Sequence, residues 1–288
     1  MSGRPPNDGG WQHRPAKRSS RVRRGRRRLI LLVLLLLVGA VVVSGYLTGW
    51  RNEPDTPEAV TAPPLTKLVF PEGLRREEMA EILGRETGLS ASTYLEVTGP
   101  SAKGAALAGR TQPTSMEGFL FPATYEIGTE TTVEFLVDQQ IRAFTRQMNT
   151  IDMTHAESKN LTRFDVVIIA SMIEREVQVP SERPIVAGVI YNRLRLGMRL
   201  DIDATVQYAV GSWGSLTAED LRSSSPYNTR RFSGLPPGPI CNPGAASLEA
   251  AANPAEHGYL YYVAKTDGSG GHRFATTLEE FNRIQAEG

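Results

Sequence analysis

Residues 29–50 form a run of 22 positions without one charged side chain. At 1.5 Å per residue, a helix of that length measures ~33 Å and matches the ~30 Å hydrocarbon core of a bilayer. The run reads LILLVLLLLVGAVVVSGYLTGW, with Tyr46 and Trp50 where interfacial aromatic residues sit. It is longer than the ~7–15 residues of a signal-peptide core, so it reads as a retained anchor. The arginines Arg21–Arg28 abut its start. Excess Lys and Arg stay on the cytoplasmic side. The pattern therefore predicts a single-pass plasma-membrane protein, with residues 1–28 as a basic cytoplasmic tail and everything after Arg51 outside.

The formal net charge of +1 hides an asymmetry. Residues 1–28 carry ten Lys or Arg and one acid, Asp8, which leaves 22 basic and 30 acidic residues in the remainder. A basic tail beside a span sets topology and touches anionic lipid. With an acidic body behind it, no nucleic-acid partner is expected. Hydrophobic residues make up 40%, which excludes disorder throughout. One cysteine, Cys241, excludes an internal disulfide framework and a multi-cysteine metal site, and suits an extracytoplasmic body. The four histidines (His13, His155, His257, His272) are scattered, and no P-loop, G-x-S-x-G elbow, H-E-x-x-H or dinucleotide fingerprint occurs. No metal or cofactor is expected.

Beyond the span, residues 51–65 hold Pro54, Pro57, Pro63 and Pro64 and read as an extended linker with roughly 45 Å of reach. Residues 66–98 pattern as a short strand, the turn Pro71-Glu72-Gly73 and two helices, too small to stand without docking on something. Residues 99–115 read as a connection. From Met116 onward the apolar spacing predicts an amphipathic helix over 131–149 and a buried helix opened by a Thr162/Asp165 capping box. Two more helices follow, capped by Ser181 and Asp203. A strand at 259–264 pairs with 272–274 across a Gly-rich hairpin, and a last helix starts at Thr277. The expected fold class is α+β: one transmembrane helix, a small module, and a helix-rich domain over 116–288 with small sheet elements.

Chemistry is suggested by Ile173-Glu174-Arg175-Glu176, where two carboxylates sit two residues apart at the end of an otherwise apolar helix. Successive residues turn ~100°, so the two flank opposite sides of the Ile169/Ile173/Val177 stripe. A desolvated carboxylate has a raised pKa and can serve as a general acid. Spacing alone does not choose between Glu174 and Glu176, nor between this role and a solvated ion pair with Arg175 and Arg183.

Several segments in order carry a resemblance. EGFLFPATY (117–125), ASMIERE (170–176), SERPIVAGVIYNRLRLGMRLDIDATVQY (181–208), SPYNT (225–229), GLPPGPICNPGAASLEAAANP (234–254) and GGHRFATTLEEFN (270–282) resemble the YceG/MltG family of membrane-anchored endolytic murein transglycosylases. Residues 66–98 resemble the LysM-like module that precedes its catalytic domain. The resemblance implies that Glu176, the second glutamate of A-S-x-x-E-[KR]-E, is the catalytic acid. It also implies cleavage of the MurNAc–GlcNAc β-1,4 bond of nascent peptidoglycan without water, leaving 1,6-anhydro ends. In that chemistry the substrate's C6 hydroxyl replaces the second carboxylate a glycosidase normally needs. Peptidoglycan glycan strands and peptidoglycan synthases (penicillin-binding proteins) are the implied partners. The family often has Asp where Ala123 stands and Pro where Ala204 stands.

The same motifs supply candidate sugar-binding residues: Glu117, Tyr125, Asn192, Arg193, Asp203, Tyr227, Asn228 and Thr229. For each a structural role competes, with Asp203 as a cap, Tyr227 in the core and Arg193 in an ion pair. Two other functions remain open at this point. One is a non-catalytic peptidoglycan-binding scaffold of the wall-synthesis machinery. The other is a hydrolase that uses Asp201 or Asp203 as its second carboxylate.

Overall fold

A computed structural model of the chain describes residues 21–49, 65–112 and 114–287. The chain forms two compact units, 1–62 and 63–288. In the first, helix α1 (Arg21–Gly49) contains the apolar stretch Leu29–Leu47, whose side chains are exposed and unpacked within the protein. Length and composition suffice to cross a membrane. The rest of the basic tail, Trp50 and most of the Pro-rich linker lie outside the described residues.

The second unit opens with β1 (Thr66–Val69), followed by α2 (Arg76–Thr87), α3 (Ala91–Val97) and α4 (Ala102–Ala108). Ser90 caps α3 by accepting from the Thr93 N–H, and Ser101 caps α4 by accepting from Gly104. Strand β1 pairs antiparallel with β2 (Thr124–Ile127), Thr66 opposite Ile127 and Val69 opposite Thr124. Alternation along both strands turns Leu68, Tyr125 and Ile127 inward. They join Phe70, Met79, Leu83 and Tyr94, together with Leu136 and Val137 of α5 (Val133–Met148), in one buried cluster. The segment 66–98 thus docks on 116–141 by sharing both a sheet and a core with it. The boundary expected at 116 falls inside that core. The connection 99–115 also carries a helix, α4, whose Gly104 packs so close to Thr114 that a Cβ there would meet the Thr114 carbonyl oxygen at 1.9 Å.

A second core is built on α6 (Thr154–Ser158), α7 (Arg163–Glu176), α8 (Arg183–Arg195), α9 (Asp203–Val210) and α10 (Ala245–Ala252). Helix α7 is apolar almost all round from Val166 to Ile173, with Ser171 the one polar residue of that stretch, and is the central element, with Ile168, Ile169, Met172 and Ile173 at most 1% exposed. Each such burial is worth ~1.5–3 kcal/mol. The expected Thr162/Asp165 capping box opens it, each residue's side chain accepting from the other's backbone N–H.

The other two expected caps are corrected. Ser181 lies in a 3₁₀ turn (Pro180–Glu182), and α8 begins at Arg183 with Glu182 at the capping position and no side-chain cap. Asp203 is the first helical residue of α9, Ile202 takes the capping position, and the Asp203 carboxylate pairs with Arg230 instead. The chain ends in a hairpin, β3 (Tyr261–Ala264) against β4 (His272–Ala275), covered by α11 (Leu278–Glu287).

Candidate active site

Helix α7 ends where β3 passes, and their meeting point forms one wall of a cavity of about 570 Å³. Glu176 stands on that wall with Arg193, Asp203, Arg230, Tyr261 and Tyr262. Its Oε2 accepts the Tyr262 hydroxyl at 3.1 Å. Burial is the largest influence on Glu176 and raises its pKa above the ordinary carboxylate value, and the nearby Asp203 charge raises it further. The Tyr262 hydrogen bond, His272 and the Ala204 N–H at the start of α9 act in the opposite direction. Desolvation prevails, so the site favours a protonated carboxyl group. Tyr262 is itself pushed up by burial and by the carboxylate it faces, so it stays a hydrogen-bond donor.

Glu174 has a different environment. Its Oε2 accepts from the Gly244 N–H at 3.0 Å, and its Oε1 lies 3.7 Å from the Arg183 guanidinium. That carboxylate ties α7 to the start of α10 and does not line the cavity.

Of the other expected site residues, Arg193 and Asp203 reach the cavity. Arg193 is 8% exposed, and its guanidinium is committed to the carbonyls of Leu260 (2.6 Å) and Leu200 (2.6 Å). It fastens the chain before β3 and the loop before α9 to α8. Asn192 faces a different cavity, of about 500 Å³, and its Nδ2 donates to the carbonyls of His257 and Tyr259.

The rest sit elsewhere. Glu117 is 3% exposed, accepting from Asn242 Nδ2 at 2.8 Å and the Arg76 N–H at 3.3 Å, and burial raises its pKa to about 8. Tyr125 packs in the β1–β2 core and donates to the Phe121 carbonyl. Tyr227 packs against Tyr208, their ring centroids 4.9 Å apart. Asn228 is fully buried and donates to the carbonyls of Leu221 and Ser223. Thr229 Oγ1 accepts the Ile202 N–H and lies 2.8 Å from the Thr205 hydroxyl. Asn228 and Thr229 therefore shape the loop that delivers Arg230 to Asp203. Glu117, Tyr125, Asn228 and Thr229 thus spend their polar atoms on the protein's own groups, as braces do, while Tyr227 is half-buried at the edge of the core.

Sequence reasoning missed Tyr262, Arg230 and Glu182. Tyr262 lies 86 residues from its partner Glu176, and only the alternation of β3 could have hinted at its face. Arg230 directly follows the SPYNT motif, a signal that was available.

The sequence profile of the YceG-like family matches residues 52–287. The chain belongs to the YceG-like family. Curated relatives include the endolytic murein transglycosylase of Streptococcus pneumoniae, 33% identical over 265 residues, covering 83% of this chain and 46% of that protein. The endolytic murein transglycosylase of Bacillus subtilis is 38% identical over 174 residues, covering 59% of this chain and 47% of that one. The chain thus spans about half the length of the curated relatives it matches. A crystal structure of a yceG-like protein from Listeria monocytogenes superposes with a TM-score of 0.68 at 32% identity, covering 79% of this chain and 78% of the other. In this YceG-like protein the cavity at the end of α7 holds Glu176, and Glu174 of the same segment lies outside it.

Proposed function

We propose that the protein is a membrane-anchored endolytic lytic transglycosylase acting on the glycan strands of nascent peptidoglycan, with Glu176 as its catalytic acid and base. The observation that carries this reading is a carboxyl group raised by burial, on a cavity wall, at the motif position of the family. The names of the curated relatives supply the substrate class.

In this mechanism Glu176 gives its proton to the glycosidic oxygen as the bond from that oxygen to C1 of MurNAc breaks. The ionised carboxylate then takes the proton from the MurNAc C6 hydroxyl, whose oxygen bonds to C1 and closes the 1,6-anhydro ring. The proton returns to Glu176, no water is consumed, and one carboxyl group serves both steps. Asp203 and Arg230 pair beside Glu176 on the cavity lining and present polar groups to the sugar. The resemblance also assigns residues 66–98 a LysM-like contact with glycan. Anchoring through α1 would keep cleavage near the membrane, beside the synthases that extrude new strands.

Mass spectrometry of products from purified, uncross-linked strands tests the reading. Anhydro ends from the interior of strands are expected. Reducing ends would instead indicate a hydrolase, with Asp203 as the nearest second carboxylate on the cavity, and intact strands would indicate a scaffold.

A further inference from the structure

The hydrogen bond between Tyr262 and Glu176 has a support of its own. The rings of Tyr262 and His272 meet edge to face, with centroids 5.2 Å apart and planes at 87°. His272 is held twice by one carboxylate: its backbone N–H donates to Glu182 Oε1 at 2.9 Å, and its Nδ1 lies 2.7 Å from Glu182 Oε2. The two side chains are 9% and 11% exposed. Glu182 occupies the capping position of α8 yet caps nothing there. Its carboxylate is spent on His272, across 90 residues of sequence.

We propose that Tyr262, held by His272 and Glu182, is a positioning residue that fixes which oxygen of Glu176 carries the transferred proton. The inference rests on the reading of Glu176 as the acid. A carboxyl group that accepts a hydrogen bond at Oε2 carries its own proton on the other oxygen, Oε1. Once that proton has gone to the leaving group, the Tyr262 bond becomes charge-assisted and strengthens. It thereby favours the ionised form that must collect the C6 hydroxyl proton. Glu182 and His272 make no hydrogen bond to Glu176 and do not line the cavity; His272 acts on the Glu176 charge from its side, and together the pair sets the angle at which the Tyr262 hydroxyl is presented.

The groups facing Glu176 come from four elements. They are Tyr262 on β3, His272 on β4, Asp203 and the Ala204 N–H on α9, and Arg193 on α8, with Arg230 on the adjoining loop. Only Tyr262 donates a side-chain hydrogen bond to it among these.

The test compares full-length wild type, Tyr262→Phe, Glu182→Gln, their double variant and Glu176→Gln in detergent, on uncross-linked glycan strands from pH 4 to pH 9. Circular dichroism checks folding. Tyr262→Phe should lower kcat about 10–100-fold, the worth of one hydrogen bond to a charged group, with KM within about twofold. Its alkaline limb should move to higher pH, because the lost bond is one that favours ionisation. Glu182→Gln should move the limb the same way by less, and the double variant should be no worse than Tyr262→Phe alone.

An unmoved limb in Tyr262→Phe, or additive losses in the double variant, overturns the proposal. If Tyr262→Phe does not fold, the limb of Glu182→Gln decides. An inactive Glu176→Gln with an unmoved limb in Tyr262→Phe rejects the positioning role alone. A Glu176→Gln that cleaves like wild type rejects the acid and the positioning role together.

Discussion

Glu174 and Glu176 stand two residues apart on α7 and face different partners: the Gly244 N–H at 3.0 Å for the first, the Tyr262 hydroxyl at 3.1 Å for the second. The ~200° between them on the helix is what sends one carboxylate to the α7–α10 junction and the other to the cavity. Exchanging each for glutamine should separate the roles. Glu176→Gln keeps size but has no transferable proton, and cleavage should fall by at least ~10²–10⁴-fold at unchanged Tm. Glu174→Gln should keep most activity and lose ~1–3 kcal/mol of stability, because its charged hydrogen bond to Gly244 and its pairing with Arg183 weaken together. Strand cleavage and thermal melts on the two variants check both statements.

Gly188 couples packing to the site. It lies on α8 where a Cβ would come within 2.4 Å of the Ala255 carbonyl oxygen and 2.5 Å of His257 Nε2. The chain it touches runs directly into β3, which carries Tyr262. Gly188→Ala must push residues 255–257 away, and overpacking of this kind costs ~1–3 kcal/mol. Both Tm and kcat should drop, and Gly188→Ala should lose the His257 Nε2 contact with the Ile185 carbonyl, now 2.8 Å. A histidine side-chain NMR spectrum reports that loss.

How far the sequence reached follows the range of the interactions involved. Thr162 and Asp165 are three residues apart, and their capping box was legible because its chemistry is local. Helix α5 was legible from its apolar stripe, within two residues at either end. The pairing of β1 with β2 was not, since neither strand of four residues names its partner across the intervening helices. Asp203 and Ser181 have the right residue types for caps, yet Arg230 claims the one and a 3₁₀ turn displaces the other. In the site, an apolar helix ending in acid points to the pair Glu174 and Glu176 without choosing between them, the family resemblance favours Glu176, and Glu176 is the one that lines the cavity. Its partner Tyr262 and the hold by Glu182 are set by contacts 86 and 90 residues long. Residue type inside a motif does not reveal such commitments: Glu117, Asn228 and Thr229 hydrogen-bond to the protein itself.

The rule for basic flanks predicts the topology: with arginines preceding Leu29, the tail is expected in the cytoplasm and Gly288 outside. A periplasmic-type reporter fused after Gly288 should be active, and a cytoplasmic reporter at the same point silent. Replacing the arginines at 21, 23, 24, 26, 27 and 28 by Gln should produce a mixed population. Activity of the cytoplasmic reporter in the unaltered chain would reverse the orientation and with it access to the wall.

Glu117 predicts how the whole body responds to pH. Burial lifts its pKa from 4.5 to about 8, although Asn242 and the Arg76 N–H both donate to it. Between those two values the unfolded chain releases this proton and the folded chain keeps it. Folding stability from this group is therefore fully present below pH 4.5 and is lost as pH rises toward 8, by on the order of 4 kcal/mol. Tyr94 and Tyr125, in the same core, titrate far above this window and do not contribute to the slope. Glu117→Gln removes the titration. It also turns one accepting oxygen into a donor facing Asn242 or Arg76, so the variant should start less stable at pH 5. Its stability should then fall less steeply to pH 8, keeping only the slope of the other raised carboxyl groups such as Glu176, while the wild type falls toward it. Denaturant midpoints at pH 5, 6, 7 and 8 give the two slopes. Parallel curves for wild type and Glu117→Gln would mean that Glu117 is ionised in the fold throughout, held by its two donors rather than neutralised by burial.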